Sequence, residues 1–334
     1  MTEDRKNDHI DLAFSSQAAN LSADKRFSYE PLLGSLAKGA IEPFPFLGHT
    51  LRTPIWISSM TGGAAQAKMI NLNLARACNE FGMGMGLGSC RVLLEDEKYF
   101  PDFDMRDVIG NELPFYANIG IAQLEEILLN KVHDRISGLV SRLRADGLII
   151  HVNPVQEWLQ TEGDLLTRPP IETIEEFLSL THLKVIVKEV GQGMGPESII
   201  RLMKLPIEAF ELAAFGGTNF AKVELARSST HNRERFEPIS MVGHSAGEML
   251  ELINKYAESG MDTGCRQIII SGGIHSFLDG YYYMSKSVLP AIYGQASGLL
   301  RHARGDYEEL REFLIGQIKG LIFARAFLKV KNQS

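Results

Sequence analysis

The chain has 334 residues, of which 45% are hydrophobic and 22% are charged, the composition of an ordinary globular protein. A formal net charge of −7 argues against a general nucleic-acid-binding protein, and three scattered cysteines are too few for a disulfide framework or a zinc cluster. Without a signal peptide or an apolar run of membrane-spanning length, the sequence predicts a cytoplasmic protein that binds neither nucleic acid nor membrane.

The first part of the chain, residues 1–50, is predicted to be an N-terminal extension, because prolines and glycines interrupt any regular pattern there. A β-branched run at 54–60 then predicts a strand that leads into a Thr-Gly-Gly turn. Apolar residues at helical spacing over 67–81 predict the next helix, and Gly82 is a natural stop for it. The extension is therefore expected to lead into a strand–helix unit.

Similar strand–helix units recur to the end of the chain. Further strands are predicted at 83–88, 114–120, 147–153, 184–190, 207–215, 265–273 and 291–297. Helices are predicted over 124–143, 171–183, 196–204, 246–260 and 306–330, and the polar stretch 221–244 is expected to form a long irregular loop. Eight apolar strands alternating with helices predict an α/β fold, a TIM (β/α)8 barrel with an N-terminal extension, in which residues 51–334 form a single catalytic domain.

Polar and glycine residues follow the predicted strands at the end where a TIM barrel has its active site. The pair Gly272-Gly273, with Ala296-Ser297 after the last strand, would let backbone N–H groups approach a phosphate closely. Lys188 interrupts an otherwise apolar strand, and an unpaired buried lysine is costly. Since the strand ends converge on one mouth, these residues predict a site for a phosphate-bearing ligand, with Lys188 available to stabilise negative charge.

Eight short motifs carry a family resemblance. They are Arg5-Lys6-x-Asp8-His9, Met60-Thr61-Gly62-Gly63, Gly88-Ser89-x-Arg91, Ala117-Asn118-Ile119-Gly120, His151-x-Asn153-x-x-Gln156-Glu157, Val187-Lys188-Glu189-Val190-Gly191, Gly216-Gly217-Thr218 and Ser271-Gly272-Gly273. In these motifs and in their order, the chain resembles the type 2 isopentenyl-diphosphate isomerases, which are FMN-dependent TIM barrels. The motif from His151 to Glu157 and the N-terminal Arg-Lys pair are the most specific, since the others occur more loosely in other FMN barrels.

The resemblance implies a role for each matching residue. It assigns FMN to Ser59, Met60, Thr61, Ser89, Asn118, Lys188, Thr218, Gly272, Gly273, Ala296 and Ser297. It assigns the substrate diphosphate to Arg5, Lys6, Ser89, Arg91, His151, Asn153 and Gln156, the Mg²⁺ ligand to Glu157, and catalytic roles to Gln156 and His151. It also implies reduction of FMN by NADPH, a small-molecule diphosphate substrate, and a homo-oligomer, either a tetramer or an octamer.

The reaction implied by the resemblance converts isopentenyl diphosphate into dimethylallyl diphosphate and back. One carbon of the alkene is protonated and a neighbouring carbon loses a proton, so the site needs an acid–base pair and a dry pocket. Reduced FMN would serve without net oxidation, and NADPH would only prime it. The sequence departs from the family at His275-Ser276-Phe277 and at Gln295-Ala296-Ser297-Gly298, both at the end of the site expected to hold the FMN phosphate.

Two other functions and one structural alternative remain open from the sequence. An FMN-dependent 2-hydroxy-acid oxidase or dehydrogenase would need a histidine base with arginine partners late in the chain, and His231, His244 and His275 have no evident arginine partner. A non-catalytic phosphate-binding barrel would have no use for a buried Lys188. The charged segment around Arg5 would form a solvated tail if it does not close over the substrate.

Overall fold

The computed structural model describes residues 3–59, 66–160 and 162–331, without the side chains of residues 3, 4, 6 and 7. The strands are β1 Phe27–Tyr29, β2 Phe44–Phe46, β3 His49–Leu51, β4 Ile55–Ile57, β5 Gly84–Gly86, β6 Phe115–Gly120, β7 Gly147–Val152, β8 Lys184–Glu189, β9 Ala209–Glu211, β10 Ile268–Ser271, β11 Ala291–Gln295 and β12 Leu328–Val330. The helices are α1 Glu3–Ala13, α2 Ala67–Phe81, α3 Arg106–Ile109, α4 Ile121–Leu129, α5 Asp134–Arg142, α6 Pro154–Leu159, α7 Pro170–Leu180, α8 Pro196–Met203, α9 Phe220–Arg227, α10 Thr230–Phe236, α11 Ala246–Glu258, α12 Phe277–Lys286, α13 Ser297–Ala303 and α14 Tyr307–Phe327. Short 3-10 helices span Asn20–Ser22, Leu36–Gly39, Arg91–Leu94, Glu97–Asp102 and Glu237–Met241.

A closed barrel forms the centre of the molecule. Within the described ranges, strands β4 to β11 pair in chain order as parallel neighbours, and β11 pairs back with β4 to close the ring. Each strand predicted from the sequence contains one strand of this barrel. The TIM-barrel prediction is therefore confirmed, and it succeeded because strands covered by helices outside and by side chains inside must be apolar on both faces.

The N-terminal extension packs against the barrel end at which the strands begin. The hairpin β2–β3 turns at Leu47 and Gly48, both with positive φ, as a two-residue hairpin turn requires. The backbone N–H of Leu47 donates to the side chain of Gln267, just before β10, at 2.9 Å. His49 lies 3.5 Å from Asp146, just before β7. Further out, β1 pairs antiparallel with β12 near the C-terminus.

Two predicted segments differ from the structure. The single helix expected over 124–143 is two helices, α4 and α5, because the chain adopts a left-handed conformation at Lys131 between them. The stretch 221–244, expected to be irregular, is instead largely helical. Asn219 and Ser229 cap the first turns of α9 and α10, where their side chains accept hydrogen bonds from the backbone N–H groups of Lys222 and Asn232. Capping starts these helices although their composition is polar.

The outer helices pack their apolar faces onto the strands, as the helical spacing predicts. α2 ends at Gly82, whose φ of 67° allows the left-handed C-cap conformation that the sequence predicts there. None of the helices in the described part of the chain combines the length and apolar character needed to cross a membrane.

Candidate active site

A cavity of about 310 Å³ opens at the barrel end where the strands finish. Its walls come from the ends of β4, β8, β9, β10 and β11 and from the loops that follow them. Seven of the residues predicted to bind FMN line it: Ser59, Lys188, Thr218, Gly272, Gly273, Ala296 and Ser297. Met60 and Thr61 lie outside the described residues. The topology thus brings together residues separated by more than 200 positions in the sequence.

Two glycine turns form one wall of this cavity, after β9 and after β10. Gly216 and Gly272 have positive φ values of 118° and 86°. A Cβ added to Gly217 would lie 3.3 Å from the Cα of Gly272, and one added to Gly272 would lie 2.1 Å from the carbonyl oxygen of Ala214. The two turns therefore pack backbone against backbone, which only glycine permits. Such a wall could receive the phosphate of a cofactor.

Several buried polar atoms around the cavity have no hydrogen-bond partner among the described residues. They are Ser58 Oγ, Ser59 Oγ, Glu211 Oε2 and Gln295 Oε1, and all four residues line the cavity. Buried polar atoms are usually paired, so four unpaired ones around one space indicate that a polar ligand completes them. A flavin mononucleotide, with its polar ring edge and its phosphate, fits this requirement.

Lys188 and Glu211 lie next to each other on adjacent strands and line the same cavity. Lys188 is 6% exposed and Glu211 is fully buried. Within the described part of the chain, no hydrogen bond or ion pair reaches Lys188, whereas Glu211 accepts a hydrogen bond from Ser271 Oγ at 3.1 Å. The sequence reasoning singled out Lys188 and missed Glu211, although a glutamate in the apolar strand at 207–215 is the same kind of signal.

His151 lies beside the cavity, in register with Lys188 on the neighbouring strand. Its Nδ1 is 2.8 Å from Asn118 Oδ1, and Asn118 Nδ2 donates to the carbonyl of Leu87 at 2.9 Å. Since that oxygen can only accept, Nδ1 carries the hydrogen and Nε2 is left as an acceptor. Burial, together with the positive charge of Lys188, lowers the pKa of His151 to about 3. The imidazole is therefore neutral at physiological pH.

Ser89 and Asn118, both predicted to bind FMN, do not line the cavity in this structure. Asn118 is buried and its side chain is committed to His151 and Leu87. Ser89 is exposed, and its hydroxyl accepts a 3.5 Å contact from the backbone N–H of Arg91. Both residues nevertheless lie at the same end of the barrel as the cavity.

The motif from His151 to Glu157 folds into one hydrogen-bonded cluster. Asn153 precedes α6, so its side chain reaches residues one helical turn later. Its amide nitrogen donates to Gln156 Oε1 at 3.2 Å and to Glu157 Oε1 at 2.9 Å. Glu157 is 8% exposed, and its other oxygen accepts from the backbone N–H of Asp164 at 3.0 Å. The predicted metal ligand is thus a fixed carboxylate.

Glu224 on α9 belongs to the same cluster, although the sequence reasoning missed it. It is 5% exposed, and its Oε1 accepts hydrogen bonds from Gln156 Nε2 at 3.1 Å and Gln160 Nε2 at 3.0 Å. The carboxamide of Gln156 is therefore held at both ends, by Asn153 and by Glu224. Among the described residues, no group of three or more His, Cys, Asp or Glu side chains could hold a metal ion. A metal here would rely on one or two carboxylates and its other ligands.

The predicted diphosphate-binding cations are found in two separate places. Arg91 is about half exposed and forms an ion pair with Asp164 at 2.9 Å. The same oxygen of Asp164 accepts a hydrogen bond from Gln123 Nε2 at 2.8 Å, while the backbone of Asp164 contacts Glu157. Arg91 is thus linked to the Glu157 cluster. Arg5 lies exposed on α1 without a hydrogen bond or ion pair to any described residue, and the side chain of Lys6 is outside the described set.

The bulky segment at His275-Ser276-Phe277, a departure from the family pattern, has a structural role. Ser276 and Asp279 form a reciprocal capping box at the start of α12. A Cβ added to Gly320 of α14 would lie 2.5 Å from the ring of Phe277, so this ring packs closely on that helix. His275 lines the cavity. The departure thus fixes the helix that follows the glycine turn.

The sequence is similar over most of its length to curated isopentenyl-diphosphate delta-isomerases. It is 33% identical over 308 residues to that of Rickettsia akari, covering 90% of this chain and 85% of the relative. It is 31% identical over 339 residues to that of Chlorobaculum parvum, with 97% and 93% covered. The enzyme of Halobacterium salinarum is 32% identical over 305 residues, with 90% and 81% covered. No protein-family model matches the chain.

Solved structures with the same fold include flavoenzymes. A mandelate oxidase variant with a monooxide FMN adduct has a TM-score of 0.56 at 15% identity, covering 92% of this chain and 89% of that one. A flavocytochrome b2 variant with pyruvate bound has a TM-score of 0.57 at 14% identity, covering 93% and 77%. At such low identity, the likeness shows the barrel fold alone.

Proposed function

Since the chain belongs to the isopentenyl-diphosphate delta-isomerase family, we propose that it interconverts isopentenyl diphosphate and dimethylallyl diphosphate, using reduced FMN and Mg²⁺. The observation that carries the proposal is the position of the His151–Glu157 cluster. It lies directly beside a cavity with unpaired polar atoms, linked to it through the register of β7 and β8. One site therefore offers both a place for a flavin and a fixed amide–carboxylate group next to it.

FMN would occupy the cavity. Its ring would lie near Lys188 and its phosphate at the glycine turns of Gly216-Gly217 and Gly272-Gly273. When bound in reduced form, FMN supplies an electron-rich ring that can carry a proton next to a cation-like transition state. The task of Lys188 is to balance the negative charge of that reduced ring. Because the substrate and product differ only in the position of a double bond, NADPH is needed only to prime the cofactor.

The diphosphate and Mg²⁺ would bind at the cluster around Glu157. Mg²⁺ commonly takes one or two carboxylates together with phosphate oxygens and water, and Glu157 is a buried carboxylate already held by Asn153. Arg91, joined to this cluster through Asp164, would contact the diphosphate. Arg5 and Lys6 on α1 would close over it. The charged tail is thus fixed, and the alkene is directed to the cavity.

Gln156 would orient the reacting alkene and handle its proton. Its carboxamide is held between Asn153 and Glu224, so its direction is fixed before substrate arrives. A fixed polar group in a site that excludes water is what proton transfer at an unactivated carbon requires, because water would divert the allylic product. His151, neutral and with Nε2 free to accept, would become a charged donor when the diphosphate lies against it.

The proposal is tested first by the visible spectrum of the purified protein. We expect a yellow protein, or an apoprotein that binds added FMN, and formation of dimethylallyl diphosphate when reductant and Mg²⁺ are present. Lys188→Ala should weaken FMN binding or prevent its productive reduction. Lys184→Ala is the matched control, because Lys184 begins the same strand at the other barrel end and is exposed. A colourless protein indifferent to FMN, or an FMN protein that oxidises 2-hydroxy acids, would contradict the proposal.

The family resemblance also predicts a homo-oligomer, a cytoplasmic location and a division between an arm at 1–50 and the barrel at 51–334. These stay predictions, testable by the molecular mass in solution and by the behaviour of the truncated barrel.

A further inference from the structure

Glu211 is a fully buried carboxylate that the reaction proposed above does not use. It ends strand β9, and its side chain is 0% exposed. A carboxylate at this depth is unfavourable unless it is paired and hydrogen-bonded. Here only Oε1 has a partner, the hydroxyl of Ser271, while Oε2 has none among the described residues. The carboxylate therefore has bonding capacity left for something in the cavity.

Glu211 and Lys188 face the same cavity from adjacent strands. They are partners in the β8–β9 register, and Cα atoms of such neighbours are about 4.8 Å apart. Both residues line the cavity, yet no ion pair within 4.0 Å joins them in the described structure. Two opposite charges thus lie side by side at the cavity wall without neutralising each other through direct contact. A ligand in the cavity experiences both.

Ser271 holds the Glu211 carboxylate in this position. The backbone N–H of Ala213 donates to Ser271 Oγ at 2.9 Å, so the hydroxyl is free to give its own hydrogen to Glu211 Oε1. This chain of two hydrogen bonds runs between β10 and the end of β9. It fixes one oxygen of the carboxylate and keeps the group from swinging onto Lys188.

We propose that Glu211 opposes the charge of Lys188 and so sets how strongly this site prefers reduced over oxidised FMN. The inference rests on the proposed flavin function. The lysine attracts the anionic reduced ring, and a carboxylate at a comparable distance repels it, so the balance of the two determines the preference. Glu211 would touch the cofactor's surroundings through charge and would take no part in proton transfer.

The test is an anaerobic titration of the full-length apoprotein with oxidised FMN and separately with reduced FMN, followed by absorbance and fluorescence. The measured quantity is the ratio of the two dissociation constants. Glu211→Gln should raise the preference for reduced FMN roughly tenfold, because one nearby negative charge is lost. Lys188→Met should lower it. Ser271→Ala should also lower it, because the released carboxylate can approach Lys188 and mask its charge.

Glu125→Gln is the matched control. Glu125 is also buried, also has one oxygen bonded and one unpartnered among the described residues, and contacts the backbone N–H and hydroxyl of Thr167 outside the cavity. It should leave the ratio unchanged, which separates the effect of Glu211 from the loss of any buried carboxylate.

An unchanged or lowered ratio in Glu211→Gln, with FMN bound normally by the unmodified protein, would overturn the inference and leave the isomerase proposal standing. If Glu211→Gln does not fold, a Ser271→Ala ratio equal to or above that of the unmodified protein would overturn it instead. Failure of the unmodified protein to bind either form of FMN would overturn the proposed function itself.

Discussion

His151 is kept neutral by its surroundings, and this controls how it can act. Its ring is partly buried, it donates through Nδ1 to Asn118, and the charge of Lys188 on the next strand disfavours a second positive charge. These causes, burial first, lower its pKa from 6.5 to about 3. In the unfolded chain the imidazole takes up a proton near pH 6.5, so the stability associated with neutral His151 is present above that pH and is lost as the pH falls toward about 3.

We therefore expect the His151 imidazole to remain neutral at pH 5 in the protein without substrate. The measurement is the nitrogen chemical shift of its ring across a pH titration, assigned with His151→Gln. Adding inorganic diphosphate with Mg²⁺ should shift the resonance toward the protonated form, because an anion beside Nε2 favours an imidazolium. Titration near pH 6.5 without any anion would mean that the ring is open to solvent.

Glu157 is the acidic residue on which the proposed metal site depends. Replacing it by glutamine keeps its size and its contact with Asn153 but removes the charge that Mg²⁺ requires. We expect Glu157→Gln to lose activity by on the order of 100-fold, with FMN still bound and only partial rescue by added Mg²⁺. Steady-state kinetics over a range of Mg²⁺ concentrations measure this, and Glu162→Gln, an exposed neighbour, is the control. Normal Mg²⁺ dependence in Glu157→Gln would place the metal elsewhere.

Helix α1 presents Arg5 on an exposed face, and the family pattern gives it and Lys6 a role in closing over the diphosphate. Replacing both with alanine should raise KM for isopentenyl diphosphate and leave FMN affinity nearly unchanged. A charge-assisted phosphate contact is worth roughly 1.5–3 kcal/mol, so the increase should be about tenfold to a hundredfold. Replacing Lys329 and Lys331, also exposed, removes the same charge elsewhere and serves as the control. Unchanged kinetics after deletion of residues 1–8 would show that this segment is only a tail.

At the level of elements, strands were easier to predict than the segments between helices. The strands are apolar because both of their faces are covered, and that pattern is visible in the sequence. The break at Lys131 depends on one residue adopting a left-handed conformation, which apolar spacing does not reveal. Helices α9 and α10 depend on the caps Asn219 and Ser229 within a polar stretch. Because α9 was not expected, neither was the contribution of Glu224.

At the level of the whole molecule, barrel closure decides which residues meet. A lone lysine in an apolar strand could be singled out from the sequence, since its burial without a ligand is unfavourable. The pairing of Arg91 with Asp164 joins residues 73 positions apart and depends on where the loop after α6 runs, which no local pattern encodes. Sequence therefore predicted the positions along the strands well, and the contacts made by loop residues poorly.

The last prediction separates an isomerase from an oxidoreductase, and it concerns the complete enzyme. Substrate and product are isomers, so the reaction consumes no electrons, and the proposed substrate offers no carbon that accepts hydride. We expect activity to require reduced FMN, with many molecules of dimethylallyl diphosphate formed per NAD(P)H consumed. In D₂O the product should gain deuterium, because the proton added to the alkene comes from a group that exchanges with solvent.

Both quantities can be measured in one experiment, by following NAD(P)H absorbance while mass spectrometry counts product and its deuterium content. Lys188→Ala should reduce both the formation of product and the retention of reduced flavin, because the charge that favours the anionic ring is lost. Lys184→Ala, on the same strand but at the exposed opposite end, should change neither. One NAD(P)H consumed per product, or oxygen-dependent turnover of a 2-hydroxy acid, would identify the barrel as an oxidoreductase. Product without deuterium would instead require a proton that passes within the substrate, for which the cluster around Gln156 would have no use.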